Sequence, residues 1–302
     1  MTMSRATTIR NDLIKGLQKN ICFGVSKYGV KVAAREEYLK NGGSPDGFLH
    51  AQGLYAHKSY KTYRSDIETF AKWAAQNTNA RDGASARQYV PNYLKLLIEK
   101  GLAAPSIYKY AHALACSYGC KAADFGIALP RRERSKITRS RKPVKSDSRF
   151  TSKKCEDARN FARGTGCRYR GLTTVRANDI RPREGGGYEV FFTEKGGKKR
   201  WARVLPQYEE FVLERFREAK TRGEDALLFP EIIDHHVDIH ACRGEYARAA
   251  YALYESEGYA TGEEYVCEMD RYGDVYDKGV LLMVSRDLGH NRCDVVVNDY
   301  MK

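Results

Sequence analysis

The stretch LGHNRCDVVVNDY, residues 288–300, closes a helical run, turns on a glycine, and sets a tyrosine ten positions after a histidine. Val280 to Leu288 has the apolar content of a helix, and Gly289 supplies the left-handed residue that stops one. His290 is therefore expected at a helix end, presented and not buried. Tyr300 is one of 21 tyrosines, and tyrosines mostly serve packing. Its claim to chemistry rests on its spacing from His290.

Three upstream settings bear on that tyrosine. Thr165-Gly166-Cys167-Arg168 puts an arginine just after a glycine turn, at the start of a helix, where it can grip two phosphate oxygens. Lys195 opens a turn between two strands, and Lys198, Lys199 and Arg200 make the tip of that turn cationic. His240 and Arg243 are three apart in DIHACRGEYARAAYAL, with Asp238 as N-cap and Ile239, Cys242, Tyr246 and Leu253 as the buried stripe. That phase places both polar side chains on the other face of the helix. Taken singly, these are a surface arginine, a solvated turn and a structural pair. In order, Arg, Lys, His-x-x-Arg, His and Tyr assemble groups that hold and neutralise one phosphodiester and end in a hydroxyl able to attack it.

Outward from this constellation the chain is mostly helical. His57 to Gln76 places Tyr60, Tyr63, Ile67, Phe70 and Ala74 at helical intervals. Ser85 is expected to cap a second helix carrying Val90, Tyr93, Leu94 and Leu97, stopped by Gly101. Pro105 fits the first turn of a third, with Ile107, Tyr110, Leu114 and Tyr118 inward. NGGSPDGF (41–48) interrupts the helical residues before this bundle, so 1–56 are expected as an N-terminal extension packed loosely on it. RRERSKITRSRKPVK (131–145) holds eight basic residues and one acidic, the composition of a solvated linker that can also cross a phosphate backbone. Beyond Phe150, CEDARNFARG and GLTTVRANDI are expected as helices. GGYEVFFTEKGGKKRWARVLP is expected as a hairpin, with helices resuming near Gln207.

Composition narrows the partners. Lys plus Arg exceed Asp plus Glu by 52 to 38 in 302 residues, a formal charge of +14, which suits a polyanion, nucleic acid first. No apolar run approaches a membrane span and MTMSRATTIRNDLIKG lacks a secretory core, so a cytoplasmic, nucleoid-associated location without membrane contact is expected. The eight cysteines form no Cys-x-x-Cys pair, and reduced, mostly buried thiols are expected. Cys116 and Cys120, and His236 and His240, are each one helical turn apart. Structural zinc takes four ligands, usually as two close pairs, so neither metal nor cofactor is expected.

These boxes together resemble the tyrosine recombinase, or phage integrase, family. Thr165-Gly166-Cys167-Arg168 is similar to its Thr-Gly-Leu-Arg box, and Lys195-Gly196-Gly197-Lys198-Lys199-Arg200 to its Lys-Gly-x-Lys-x-Arg hairpin. His240-Ala241-Cys242-Arg243 resembles the His-x-x-Arg box, and Leu288-Gly289-His290 with Tyr300 its final signature. The resemblance implies a mainly α (α+β) fold of the DNA breaking-rejoining type. A helical core-binding bundle (57–130) and a basic linker (131–148) precede a mostly helical catalytic domain with a small antiparallel sheet (149–302). It implies a site-specific recombinase or integrase of a mobile element, acting on double-stranded DNA as a homotetramer on two sites, with accessory DNA-bending factors as further partners. Tyr300 would form a 3′-phosphotyrosine, Arg168 and Arg243 would stabilise the phosphoryl charge, and Lys195 would be the general acid. His240 would assist removal of the tyrosine proton and His290 would hydrogen-bond the phosphate. No nucleotide or metal is needed, because the phosphotyrosine retains the bond energy. Where many relatives carry an acid three positions after the first arginine, this chain has Gly171. The alternatives are a type IB topoisomerase-like relaxing enzyme and a DNA-binding protein that kept the fold and lost the chemistry.

Overall fold

Ser4 caps the first helix, its hydroxyl accepting from the backbone N–H of Thr7, and α1 (Arg5–Gln18) turns Ile9, Leu13 and Leu17 inward. The computed structural model describes residues 4–44, 53–133, 150–194, 197–267 and 272–301. The chain divides into two compact units, Met1–Ile137 and Thr138–Lys302.

In the first unit, α1 packs on α3 (His57–Asn77) and α6 (Ala104–Tyr118). Between them in sequence lie α2 (Lys27–Lys40), which buries no residue, α4 (Gly83–Ala86) and α5 (Val90–Glu99). One core takes Ile67, Phe70 and Ala74 of α3, Val90, Leu94 and Leu97 of α5, and Ile107 and Leu114 of α6. Each such Val, Leu, Ile or Phe side chain, fully buried, contributes about 1.5–3 kcal/mol. Two expectations change. The extension is not uniformly loose, because Ile9, Leu13 and Leu17 sit in that same core at 0–2% exposure while α2 stays outside it. Ser85 does not cap the second helix: Asp82 caps α4, Ser85 returns its hydroxyl to the backbone of Asp82, and a 3-10 turn leads into α5.

The second unit begins its described part with α7 (Lys153–Thr165), ended by Gly166 at φ 59°. GLTTVRANDI is not a helix. Only α8 (Tyr169–Leu172) is helical, and the chain then extends into β1 (Ile180–Pro182), since the β-branched pair Thr173-Thr174 and Asn178-Asp179 favour turns. β1, β2 (Tyr188–Thr193) and β3 (Lys199–Arg203) form an antiparallel sheet in that order, with Val190 facing Ala202 and Phe192 facing Arg200. Then follow α9 (Glu209–Thr221), α10 (Ile239–Ser256), a hairpin of β4 (Glu264–Val266) and β5 (Val275–Asp277), α11 (Lys278–Asp287) and α12 (Cys293–Tyr300). The central helix α10 packs on α7, α11 and α12. Most of the expected basic linker, residues 134–148, lies outside the described residues. No helix among the described residues is long and apolar enough to cross a membrane.

Candidate active site

Gly166 is where the site is assembled. Its left-handed φ ends α7, and a Cβ there would lie 2.5 Å from Cδ1 of Tyr246, so the turn is pressed against α10. The Gly166 carbonyl accepts from Nη1 of Arg243 and, at 3.3 Å, from Nη2 of Arg200. Two residues on, Arg168 is the N-cap of the single-turn α8 and remains 30% exposed along its side chain. Its Nη1 meets Glu194 Oε2 at 2.5 Å and its Nη2 meets His290 Nε2 at 3.1 Å.

Arg243 departs from the expected outer face of α10. It is 0% exposed, its Nη groups donating to the carbonyls of Gly166 and Leu288 and its Nε to the Tyr300 hydroxyl at 3.1 Å. The helix starts where expected: Asp238 caps it by accepting from Ala241 N at 2.9 Å. Burial depresses the Arg243 pKa to about 10, the guanidinium charges of Arg200 and Arg168 acting in the same direction against the pull of Tyr300. A guanidinium so enclosed persists because each of its three nitrogens finds an acceptor.

His290 also turns inward. The left-handed Gly289 (φ 72°) and Asn291 (φ 58°) fold the turn after α11, and the Ser285 carbonyl accepts from His290 N at 2.8 Å. Its Nε2 lies 3.1 Å from Arg168, 3.3 Å from Arg243 and 3.3 Å from the Tyr300 hydroxyl. Guanidinium has no acceptor, so Nε2 holds the lone pair and Nδ1 the proton. Burial, then Arg243 and Arg168, lower the His290 pKa to about 3. Tyr300, at the end of α12, is 3% exposed, and Arg248 donates to its carbonyl at 3.0 Å. The ring of His240 is centred 5.2 Å from that of Tyr300.

Four of the six residues singled out in the sequence, Arg168, Arg243, His290 and Tyr300, thus meet within hydrogen-bonding reach, and His240 stands against the tyrosine ring. Lys195 lies outside the described residues. Its neighbour Lys198 donates to the Gly289 carbonyl at 2.9 Å, and burial followed by repulsion from Arg168 and Arg200 lowers its pKa. Arg200 is not part of a solvated tip: its side chain is 3% exposed, bonded to Glu194 at 2.9 Å and to the Asp287 carbonyl, with the Phe192 ring beneath it. Sequence reasoning passed over Glu194, although Val190, Phe192 and Glu194 continue one alternating face. It also passed over Asp287, whose buried carboxylate accepts from Tyr246 at 2.9 Å and Tyr254 at 2.8 Å and so ties α11 to α10. Among the described residues, Asp234, His235 and His236 form an exposed trio of metal-type donors. All eight cysteines are free thiols.

No family model and no curated protein matches the chain. Among solved structures it is similar to XerH site-specific recombinase bound to palindromic difH substrate in a post-cleavage complex. The identity is 14%, over 97% of this chain and 91% of that one, with a TM-score of 0.52. The pre-cleavage complex of XerH with difH matches at 14% identity, 97% and 92% coverage and a TM-score of 0.47. XerA recombinase matches at 13%, 97% and 94%, with 0.32. At such identity the likeness to the post-cleavage complex is one of fold.

Proposed function

We propose that this chain, which has the mainly helical fold of the tyrosine recombinases, cleaves and rejoins double-stranded DNA through a 3′-phosphotyrosine. In this reading it is the site-specific integrase of a mobile element, with four protomers acting on two sites. The observation that carries it is that Arg243 and His290 both reach the hydroxyl of Tyr300 while Arg168 bonds the same His290 nitrogen, the four residues coming from separate segments.

The chemistry follows from those groups. Tyr300 Oη forms a bond to phosphorus, the bond from phosphorus to the 5′-oxygen breaks, and that oxygen takes up a proton. Arg168 and Arg243 stabilise charge on the non-bridging oxygens. Lys195 supplies the proton to the leaving oxygen, and His240, beside the phenol, assists its deprotonation. His290 donates to the phosphate, which requires its proton to be on the nitrogen that faces that phosphate. Tyr300 and Arg243 are sealed at 3% and 0% exposure, so DNA must open contacts within the second unit before the reaction.

That sealing favours one rival, a DNA-binding protein without strand transfer. Nicked suicide duplexes tiled across the DNA flanking the gene separate the two. The recombinase reading expects a covalent adduct that survives denaturation, maps to Tyr300, and is absent from Tyr300→Phe. Binding without any adduct leaves the rival.

A further inference from the structure

Gly171 is buried against the sheet. A Cβ there would meet Cδ1 of Phe192 at 3.0 Å and Cβ of Cys167 at 3.3 Å, so the position has no room for a carboxylate reaching Arg168. The carboxylate that does reach Arg168 comes from just beyond the strand that carries that phenylalanine. Glu194 follows β2 on the face that carries Phe192, and its backbone closes the turn, its N–H donating to Lys198 at 2.7 Å and its carbonyl accepting from Gly197 at 3.0 Å. Its side chain is 7% exposed, with Oε2 on Arg168 Nη1 at 2.5 Å and Oε1 on Arg200 Nε at 2.9 Å.

We propose that Glu194 is the positioning carboxylate of this site, acting through Arg168. The inference rests on the strand-transfer reading above. Arg200 is the fixed end of the bridge, held by the carbonyls of Asp287 and Gly166. Arg168 is the end that faces solvent and has donors left for an anion. A carboxylate clamped from behind holds the guanidinium plane, and a charge-assisted pair does so with more directional force than a neutral one. Burial alone would raise the Glu194 pKa, yet the charges of Arg200 and Arg168 bring it below the usual range, so the acid is ionised at neutral pH. Breaking a buried ion pair by removing one partner also costs stability, and the test must tell the two effects apart.

Glu194→Gln keeps the shape and removes the charge. On the suicide duplex that gives the Tyr300 adduct, its single-turnover cleavage should fall about 10–100-fold, the range expected for a misplaced catalytic group. Its DNA dissociation constant should stay within about threefold, since many other phosphate contacts set affinity. The deciding arm uses the same duplex with a neutral methylphosphonate at the scissile position. There the charge that Arg168 neutralises is gone, so the penalty for Glu194→Gln should shrink to within about threefold. An equal penalty on both duplexes makes Glu194 merely structural and overturns the proposal, as does full activity of the variant on phosphate. If Glu194→Gln does not fold, as judged by its thermal melt, Glu194→Asp takes its place. That variant should show an intermediate loss on phosphate and none on methylphosphonate, and an equal loss on the two duplexes overturns the proposal. Failure of the wild-type chain to form any adduct overturns the strand-transfer reading itself, an outcome distinct from those above.

Discussion

His290 holds a strongly displaced ionisation, and its sign gives a stability prediction. Its pKa is lowered to about 3 by burial and by Arg243 and Arg168, against about 6.5 for an unfolded imidazole. Below pH 6.5 the unfolded chain takes up a proton that the folded chain refuses, so unfolding gains as pH falls. The contribution is complete above 6.5 and is lost progressively toward 3, with a ceiling near 1.4 kcal/mol per pH unit for one proton, lowered by the partial exposure of the ring. The wild-type Tm should therefore drop between pH 6.5 and 5, and His290→Gln should flatten that drop; parallel curves for the two proteins would show that His290 does not carry it. Arg168, Arg243 and His290, which the fold groups with Tyr300, could be picked out in the sequence because each sits at a local landmark, a glycine turn or a helix start. Burial was not. The phase of α10 read from Ile239, Cys242 and Tyr246 put Arg243 outward, because an interior lined by backbone carbonyls leaves no mark in an apolar pattern. Glu194 was missed for the same reason, a charged residue occupying the inward position of an alternating strand.

At the scale of elements, the contact between α1 and α6 is made by a missing side chain. A Cβ on Gly16 would fall inside van der Waals contact with the carbonyl oxygen of Ser117, a backbone atom that cannot rotate away. In an open helix, alanine is favoured over glycine by about 1 kcal/mol. Here the overlap should reverse the sign, and Gly16→Ala should destabilise the chain by about 1–3 kcal/mol in chemical denaturation, whereas Gly29→Ala, with only Ser26 at 3.6 Å, should be neutral or stabilising. A stabilised Gly16→Ala would mean that α1 is not docked as described. The stripe of Ile9, Leu13 and Leu17 is visible in the sequence at i, i+4 and i+8. Its destination is not, since α2 and the turn-forming residues 41–48 separate it from the bundle that receives it. Helices α3, α5 and α6 were legible because each repeats its apolar stripe over at least two turns and ends at a glycine, a threonine or a change of composition. The three-residue strands β1, β4 and β5 are shorter than the period-2 pattern needs to declare itself.

For the whole molecule, the proposed action on duplex DNA, together with the excess of 14 positive charges, predicts how binding should respond to salt. A protein that neutralises Z phosphates of duplex DNA releases their counterions, giving a slope of log K against log salt of about −0.9Z. The stretch 131–145 carries eight of the 52 basic residues with a single glutamate and spans the boundary between the two units at residues 137 and 138. A linker that only joins the units and one that also follows the phosphate backbone predict different slopes. With Gln at all eight basic positions, the backbone-following linker predicts a slope shallower by about 0.9 for each phosphate that the variant no longer neutralises, and a weakening of affinity that shrinks as salt is raised. Cleavage at saturating DNA should stay within about threefold, because Arg168, Arg243, His290 and Tyr300 all lie outside this segment. Titration of a fluorescent duplex from 50 to 200 mM salt reads both quantities. An unchanged slope assigns the charges of 131–145 to solvation alone and moves the phosphate contacts onto the two folded units, where the net charge of the rest of the chain remains positive.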